Sequence, residues 1–193
     1  MEVKRAGIRT KRVMIAKYLL GLLLGLSSSI QAEQRSVGDI VKRVEVAAPI
    51  SEVFSAFSSN DGVQTFFSRG SNVDFKPGGD YEILFFPDRE AGQRGAEDTK
   101  ILAIESGRRI SIIWNAPPVC PNVRNQRTVV SFSFKPVDEQ TTEVMLRQGL
   151  WAQGEEWFAA NEYFQKAWDV VLYRLQHRFQ EGPVNWDNPP RPS

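Results

Sequence analysis

Alternating apolar and polar residues dominate the middle of the chain. Ile110, Ile112 and Trp114 are separated by single residues, and residues 130–134 repeat this pattern with serines at the intervening positions. Because successive side chains of a strand point to opposite faces, this period predicts strands that have one covered face. Turn-forming residues separate six such segments, which is typical of an antiparallel meander. The six predicted strands are residues 72–75, 80–86, 100–105, 109–115, 127–134 and 141–150.

A strand and two short helices are predicted before the meander. Residues 38–47 are rich in β-branched side chains and predict the first strand. Ser51 follows at a position suited to capping a helix whose apolar residues are spaced three and four apart. A second short helical segment is predicted over residues 62–67. These two helices therefore connect the first strand to the meander.

A helical period governs residues 154–179, the longest predicted element. Its apolar residues fall on one side at about 100° per residue, and Gly182 and Pro183 follow as stop signals. This side consists of Trp157, Ala160, Phe164, Ala167, Trp168, Val171, Leu172, Leu175 and Phe179. The helix is expected to cover the apolar face of the sheet, which gives an α+β fold. The proline-rich tail, residues 183–193, is expected to be solvated or loosely docked.

The lengths of the connections predict which end of the sheet carries function. Successive connections of a meander alternate between its two ends. The long ones, residues 87–99 and 116–126, and the link through residues 151–153 into the long helix all fall at one end, while the others have three or four residues. Functional residues usually lie on loops held by a rigid scaffold, so the loop-rich end is the expected location of a site.

The first 32 residues have the pattern of a secretory signal peptide. A basic stretch precedes the apolar residues 18–26, and small residues lead to Ala32. The apolar run is shorter than the roughly 20 residues that span a bilayer. Cleavage after Ala32 is therefore predicted, which would make the protein periplasmic or secreted with no stable membrane span. A retained anchor is the alternative.

The charge balance changes once this segment is removed. The 193 residues contain 24 Lys and Arg and 23 Asp and Glu, and residues 1–32 hold six of these cations and one anion, which leaves 18 against 22. A mildly acidic chain does not fit nucleic-acid binding, which needs a concentrated positive face. One cysteine excludes an intramolecular disulfide. Residues 38–182 are expected to form a single domain.

The scarcity of histidine and cysteine limits the metal-binding and catalytic sites that the chain can form. One His and one Cys cannot supply a conventional zinc site, so no metal or cofactor is predicted. His177 falls on the polar helix face, about 35 Å from the loop-rich end at 1.5 Å per residue, and is expected to face solvent. Cys120 is expected to be either a small loop hydrophobe or an oxidisable free thiol. No catalytic residue is predicted.

The aromatic residues, 11% of the sequence, suggest a ligand cavity between sheet and helix. Ligand sites are mostly apolar with a few placed polar groups, although aromatic rings also fill ordinary cores. Gln148 and Asn161 interrupt apolar faces and are the candidate polar contacts. The predicted aromatic lining is Phe66, Phe67, Tyr81, Phe85, Trp114, Phe132, Trp151, Trp157, Phe164 and Trp168.

Five segments of the sequence resemble a known superfamily. They are residues 44–57, 75–81, 113–114, 129–136 and 168–175. They are similar to the SRPBCC superfamily, and most similar to its heat shock protein 90 ATPase activator homologue family, over roughly residues 41–182. The resemblance implies the helix-grip fold of START domains and the birch-pollen allergen, with a curved sheet wrapped on a long helix. It also implies an internal cavity for a small hydrophobic molecule.

Two positions depart from the family pattern. Phe66 and Phe67 stand where a Trp is common, and Arg147 and Gln148 stand where a His is common. An exported protein also meets neither a cytosolic chaperone nor ATP. The predicted function is therefore an exported binding or carrier protein for a small hydrophobic ligand. A cyclase- or hydrolase-like enzyme acting on such a ligand is the first alternative. A protein-interaction module that uses the long loops and the tail, with an unknown partner, is the second.

Overall fold

One strand, two short helices, seven further strands and a long helix follow one another through residues 37–192, the part of the chain that the computed structural model describes. The predicted signal segment, residues 1–32, lies outside the described residues. The α+β class is confirmed. In chain order the elements are β1 (Ile40–Val46), α1 (Ile50–Ala56), α2 (Asn60–Gln64), β2 (Gly70–Val73), β3 (Tyr81–Leu84), β4 (Gly95–Ala96), β5 (Lys100–Glu105), β6 (Arg109–Asn115), β7 (Arg127–Pro136), β8 (Thr142–Gly149) and α3 (Glu155–Gln180).

The strands form two antiparallel sheets. The larger one has the order β1-β8-β7-β6-β5, so the first strand pairs with the last, with Val44 opposite Val144. The smaller one has the order β2-β3-β4. The Tyr81 amide donates to the Thr99 carbonyl at 2.9 Å where β3 passes β5, which connects the two sheets. The single meander of the prediction is therefore divided, and the curved surface packs against α3 in the helix-grip arrangement.

The short elements differ most from prediction. Helix α1 begins after Pro49, whose carbonyl accepts the Val53 amide at 3.1 Å, and Ser51 lies inside the helix without capping it. Helix α2 begins at Asn60, two residues before the predicted start, because the Ser59 hydroxyl caps it by accepting the Gly62 amide at 3.0 Å. Strand β2 occupies residues 70–73 rather than 72–75, and β4 was not predicted.

The core lies between the larger sheet and α3. Alternate residues of β6 and β7 are buried, as the sequence pattern predicted. Most of the predicted apolar side of α3 is also buried, and Ala167 and Phe179 at its edges are partly buried. Nonpolar burial on this scale is the main source of stability for a single domain. Within residues 37–192 no helix is both long enough and apolar enough to cross a bilayer.

The tail packs against the rest of the fold, which corrects the prediction of a solvated or loosely docked extension. Val184 is buried, and its amide donates to the Thr65 carbonyl at 2.8 Å. The Trp186 indole donates to the Gln64 carbonyl at 2.7 Å. Residues of the tail lie beside His177. The sequence predicted that this side chain faces solvent, but it is half-buried.

Candidate functional site

The long connections meet at one end of the sheet, as their lengths predicted. Arg124 joins two of them, because its guanidinium donates to the Ala116 carbonyl at 2.5 Å and to the Gly95 carbonyl at 2.8 Å. Asn122 then reaches the first turn of α3, where its side chain donates to the Glu156 carboxylate at 2.6 Å. These contacts hold the loops against the start of the helix and give the loop-rich end a fixed shape.

A buried carboxylate orders the loop between β3 and β5. Glu97 is 4% exposed and accepts the Gly92 amide at 2.9 Å and the Arg94 guanidinium at 2.7 Å, with Arg124 at 3.5 Å. Burial alone would raise the pKa of Glu97, but the hydrogen bonds from Gly92 and Arg94 outweigh it and lower the pKa. Glu97 is therefore an ionised structural anchor.

Aromatic rings fill the interior between the larger sheet and α3. Phe67 is fully buried, and its ring centroid lies 6.2 Å from that of Trp114 and 6.0 Å from that of Trp168. Phe66 and Phe132 join this cluster. Rings at these centroid separations are in direct contact with one another. They therefore form one packed aromatic core.

Tyr81, also predicted to line a cavity, belongs to the same core. Its hydroxyl donates to the Phe57 carbonyl at 2.9 Å, and burial raises the pKa of this phenol well above its ordinary value. The hydroxyl stays protonated at any physiological pH. Tyr81 therefore fixes α1 to β3.

Both candidate polar contacts bond to the protein itself. Gln148 is fully buried; its amide nitrogen donates to the Thr128 hydroxyl at 3.0 Å, and its amide oxygen accepts the Trp168 indole at 2.6 Å. Asn161 donates to the Gly38 carbonyl at 3.1 Å. Burying an unpaired amide costs about 1–3 kcal/mol, and these bonds avoid that cost. A ligand role for either residue stays a prediction.

A second small cluster lies at the loop-rich end. Cys120, Trp157 and Ala160 are buried there, with Trp151 packed against them. The rings of Trp151 and Trp157 meet edge to face at a centroid distance of 5.9 Å. Burial, followed by the charge of Glu156, raises the pKa of the Cys120 thiol, so little thiolate forms at neutral pH. These contacts favour the small hydrophobe over the oxidisable thiol for Cys120.

A pocket of about 720 Å³ lies on the flank of α3 beside the buried face. The helix contributes mostly apolar side chains to one wall, which are Ala159, Tyr163, Phe164, Ala167, Trp168, Val170 and Val171. The opposite wall comes from the ends of β3, β4 and β6 and the loop after β6. Its residues are Phe85, Phe86, Gly95, Ala96, Trp114, Asn115, Pro117 and Pro118. The walls are mostly apolar, which suits an apolar ligand.

The shape of the opposite wall depends on Gly95. Its φ is +138°, and a Cβ there would lie 2.5 Å from the Ile83 carbonyl oxygen and 2.9 Å from the Phe85 ring. Only glycine tolerates both the conformation and the close approach. Gly95 thus lets β4 lie close against β3 at the pocket.

The pocket takes four of the twelve predicted site residues. Phe85, Trp114, Phe164 and Trp168 line it. Gln148 and five of the predicted aromatic residues are buried in the core or packed against it, and Trp157 lies in the cluster near Cys120. Asn161 belongs to neither cluster and is partly exposed beside Gly38. Sequence reasoning missed the lining by Tyr163, although it lies four residues after Ala159 and four before Ala167, on one helix flank. That spacing was a usable signal, because residues four apart share a helix face.

Charged side chains surround the pocket. Glu162, Lys166 and Arg174 come from α3, and Arg191 comes from the tail. Burial, followed by the charge of Arg191, lowers the pKa of Arg174. Burial also raises the pKa of Tyr163. Within residues 37–192 no three His, Cys, Asp or Glu side chains converge in a way that would hold a metal ion.

Comparison with known proteins supports the fold. A family model described as "Activator of Hsp90 ATPase homolog 1-like protein" matches residues 47–180. A protein structure from Mesorhizobium loti has a TM-score of 0.60 and 17% identity, covering 76% of this chain and 100% of that one. No curated protein sequence matches at a significant level.

Two further solved structures share this fold. The Aha1 dimer from Colwellia psychrerythraea has a TM-score of 0.58 and 18% identity, covering 76% of this chain and 98% of that one. An HSP90 activator from Plasmodium falciparum has a TM-score of 0.55 and 20% identity, covering 72% and 93%. Identities at this level establish a shared fold alone.

Proposed function

The chain belongs to the Activator of Hsp90 ATPase homolog 1-like family, and from this premise we propose that it binds or carries a small hydrophobic ligand in the flank pocket of α3. The observation that carries the proposal is an apolar-walled space of about 720 Å³ at the loop-rich end. Ligand pockets have volumes of about 300–1,000 Å³ and mostly apolar walls. The family suggests a ligand-binding domain of the SRPBCC kind.

The apolar walls set the expected affinity. Each buried CH₂ group contributes about 0.8 kcal/mol, so a ligand that buries about eight of them gains roughly 6 kcal/mol. That free energy corresponds to a dissociation constant of some tens of micromolar. Titrations should therefore extend to several hundred micromolar ligand.

A pocket-filling variant tests the proposal. The probe is N-phenyl-1-naphthylamine, a neutral dye that fluoresces in apolar surroundings. We expect saturable binding to the unmodified protein and at least about tenfold weaker binding to Ala159→Trp, because the added indole occupies the pocket. Ala103→Trp places the same indole at an exposed position of β5 and should bind as the unmodified protein does.

The outcomes of this titration are distinct. A dye that does not bind saturably, or that binds Ala159→Trp and the unmodified protein equally, would refute the flank pocket as the ligand site. Circular dichroism of both variants confirms that each is folded before binding is compared.

We also propose that the protein acts outside the cytoplasm. Support comes from the basic, apolar and small-residue order of residues 1–32. Mass spectrometry of protein recovered from its native cells, after separation of cell compartments, should show a chain that begins at Glu33. Recovery of the intact chain from the cytoplasm would contradict export.

One observation favours protein interaction as a second function. Val119 and Leu150, both at the loop-rich end, are 75% and 73% exposed, and Leu150 adopts a φ of +65°, which is rare for a non-glycine residue. Exposed apolar side chains at a rigid end suit a protein contact. Retention of a cross-linked partner by the unmodified protein, and its loss from Val119→Ser with Leu150→Ser, would support this function. Equal capture by both would refute it.

A further inference from the structure

The rim of the flank pocket is positively charged, in contrast to the rest of the chain. Three cations, Lys166, Arg174 and Arg191, line the pocket with one anion, Glu162. Beyond residue 32, however, acidic residues outnumber basic ones by 22 to 18. A local excess of cations in an acidic domain is a feature of the pocket and not of the general surface.

The two rim cations that α3 contributes, Lys166 and Arg174, form no ion pair within the described residues. Arg174 donates through Nε to the Pro190 carbonyl at 3.2 Å, and its guanidinium lies 5.3 Å from the centre of the Trp186 ring. These contacts hold the tail against α3, and neither of them supplies an anion to Arg174.

The tail places the third cation. Trp186 fixes the tail to α2 through its bond to the Gln64 carbonyl, and Pro190 is held by Arg174, so the next residue, Arg191, reaches the pocket. Two guanidinium groups thus share one rim, and the charge of Arg191 contributes to the lowered pKa of Arg174. An anion beside them would relieve this repulsion.

We propose that the ligand is an amphipathic anion, whose apolar body occupies the flank pocket and whose acidic group lies at the rim beside Lys166, Arg174 and Arg191. This inference rests on the proposed ligand-binding function and adds the chemical class of the ligand. The apolar walls supply most of the affinity. The rim supplies selectivity for charge, because a like-charged or neutral head group gains nothing from three cations.

Three probes that share one alkyl chain length but differ in head group distinguish the contribution of the apolar chain to binding from that of the head-group charge. They are decanoate, 1-decanol and decyltrimethylammonium, each titrated below its aggregation limit by calorimetry. We expect decanoate to bind about five- to tenfold more tightly than 1-decanol, and the cation to bind most weakly. The preference for decanoate should shrink as salt is raised, because added ions screen exposed charges.

Substitutions of the rim residues test whether the preference for decanoate over 1-decanol comes from the rim charges. Lys166→Gln and Arg191→Gln should each weaken decanoate binding about two- to fivefold and leave 1-decanol unchanged, since each removes one exposed cation. Glu162→Gln should strengthen decanoate binding by about twofold. Lys135→Gln removes an exposed cation from the end of β7 and serves as the matched control, with no change expected.

The two proposals fail in different ways. If decanoate and 1-decanol bind with equal affinity, and the rim variants bind both as the unmodified protein does, the anionic class is overturned while the hydrophobic pocket stands. If none of the three probes binds, the proposed ligand-binding function itself is refuted. A stronger affinity for decyltrimethylammonium than for decanoate would also overturn the anionic class.

Discussion

The interior beneath α3 and the pocket on its flank share one helix and even share residues, since Trp114 and Trp168 belong to the core and also line the pocket. Both regions are aromatic, yet the interior is closed and the pocket is open. In the interior, the buried amide of Gln148 is bonded to protein groups on both sides. At the rim, Lys166 has no ion-pair partner among the described residues. The hydrogen-bond and ion-pair partners of the polar groups therefore distinguish the core from the proposed binding pocket better than aromatic content does.

Residue size explains why one region is filled and the other is not. Large rings converge on the interior from sheet and helix. The pocket walls instead include small residues such as Gly95, Ala96, Ala159 and Ala167. Pro117 and Pro118 stiffen the loop beside them, because proline fixes φ. These small residues leave the space between the two walls open.

The largest effect is expected from truncation in the interior. Phe67→Ala should lower the free energy of unfolding by about 3–5 kcal/mol, because it leaves a cavity among packed rings. Tyr163→Ala, in the pocket wall, should cost less than about 1 kcal/mol, since Tyr163 is 46% exposed. Urea unfolding measures both. Equal losses for the two variants would contradict the distinction between core and pocket.

A smaller effect is expected from the buried amide. Gln148→Leu should lower the free energy of unfolding by about 1–3 kcal/mol, because the Trp168 indole and the Thr128 hydroxyl lose their hydrogen-bond partner. Trp168→Phe removes the indole donor, so the double variant should lose less than the sum of the single losses. Additive losses in urea unfolding would show that the hydrogen bond contributes nothing. Dye binding to Gln148→Leu should be unchanged if Gln148 is purely structural.

Removing the anchor of the tail should lower the free energy of unfolding by about 1 kcal/mol. Trp186→Ala removes its bond to the Gln64 carbonyl and its contact with Arg174, so residues 183–192 should detach more often. Limited proteolysis should then cut the tail faster than in the unmodified protein. Trp186→Phe keeps the ring and should be intermediate. Resistance of Trp186→Ala equal to that of the unmodified protein would argue against the docked tail.

The smallest effect is the pH dependence of stability that Glu97 contributes next to Ala96 of the pocket wall. Folding lowers the pKa of this carboxylate from its ordinary value of 4.5, so its stabilisation is full above pH 4.5 and is lost as the pH falls through the folded pKa. Glu97→Gln cannot titrate and should show a shallower loss of stability on acidification. Glu90→Gln, at an exposed position in the same loop, is the control. Identical acid profiles for Glu97→Gln and the unmodified protein would contradict this role.

Strict periodicity made the long elements predictable. The bounds of β5 and β6 agree with the sequence pattern, and α3 differs by one residue at each end. Strand β4 was missed because its two residues are too few to show an alternation of apolar and polar side chains. The start of α1 was misplaced because Pro49 supplies the first helical carbonyl, where Ser51 was expected to cap the helix.

The candidate site was less predictable than the fold. Phe85, Trp114, Phe164 and Trp168 were selected for their rings and do line the pocket. Tyr163 was passed over because it stands beside the apolar stripe rather than on it. The placement of Arg191 depends on the path of the tail, and no periodicity describes that path.

The sequence by itself determined the α+β class, the apolar side of α3 and the end of the sheet where the long loops gather. These features follow from local period and connection length, which every residue carries within its own segment. The tertiary structure alone decided that the interior is filled, that Gln148 bonds to Trp168 and that the open space lies on the flank of α3. Packing depends on how volumes from distant segments fit together, so a list of apolar residues does not reveal whether they close a core or leave a pocket.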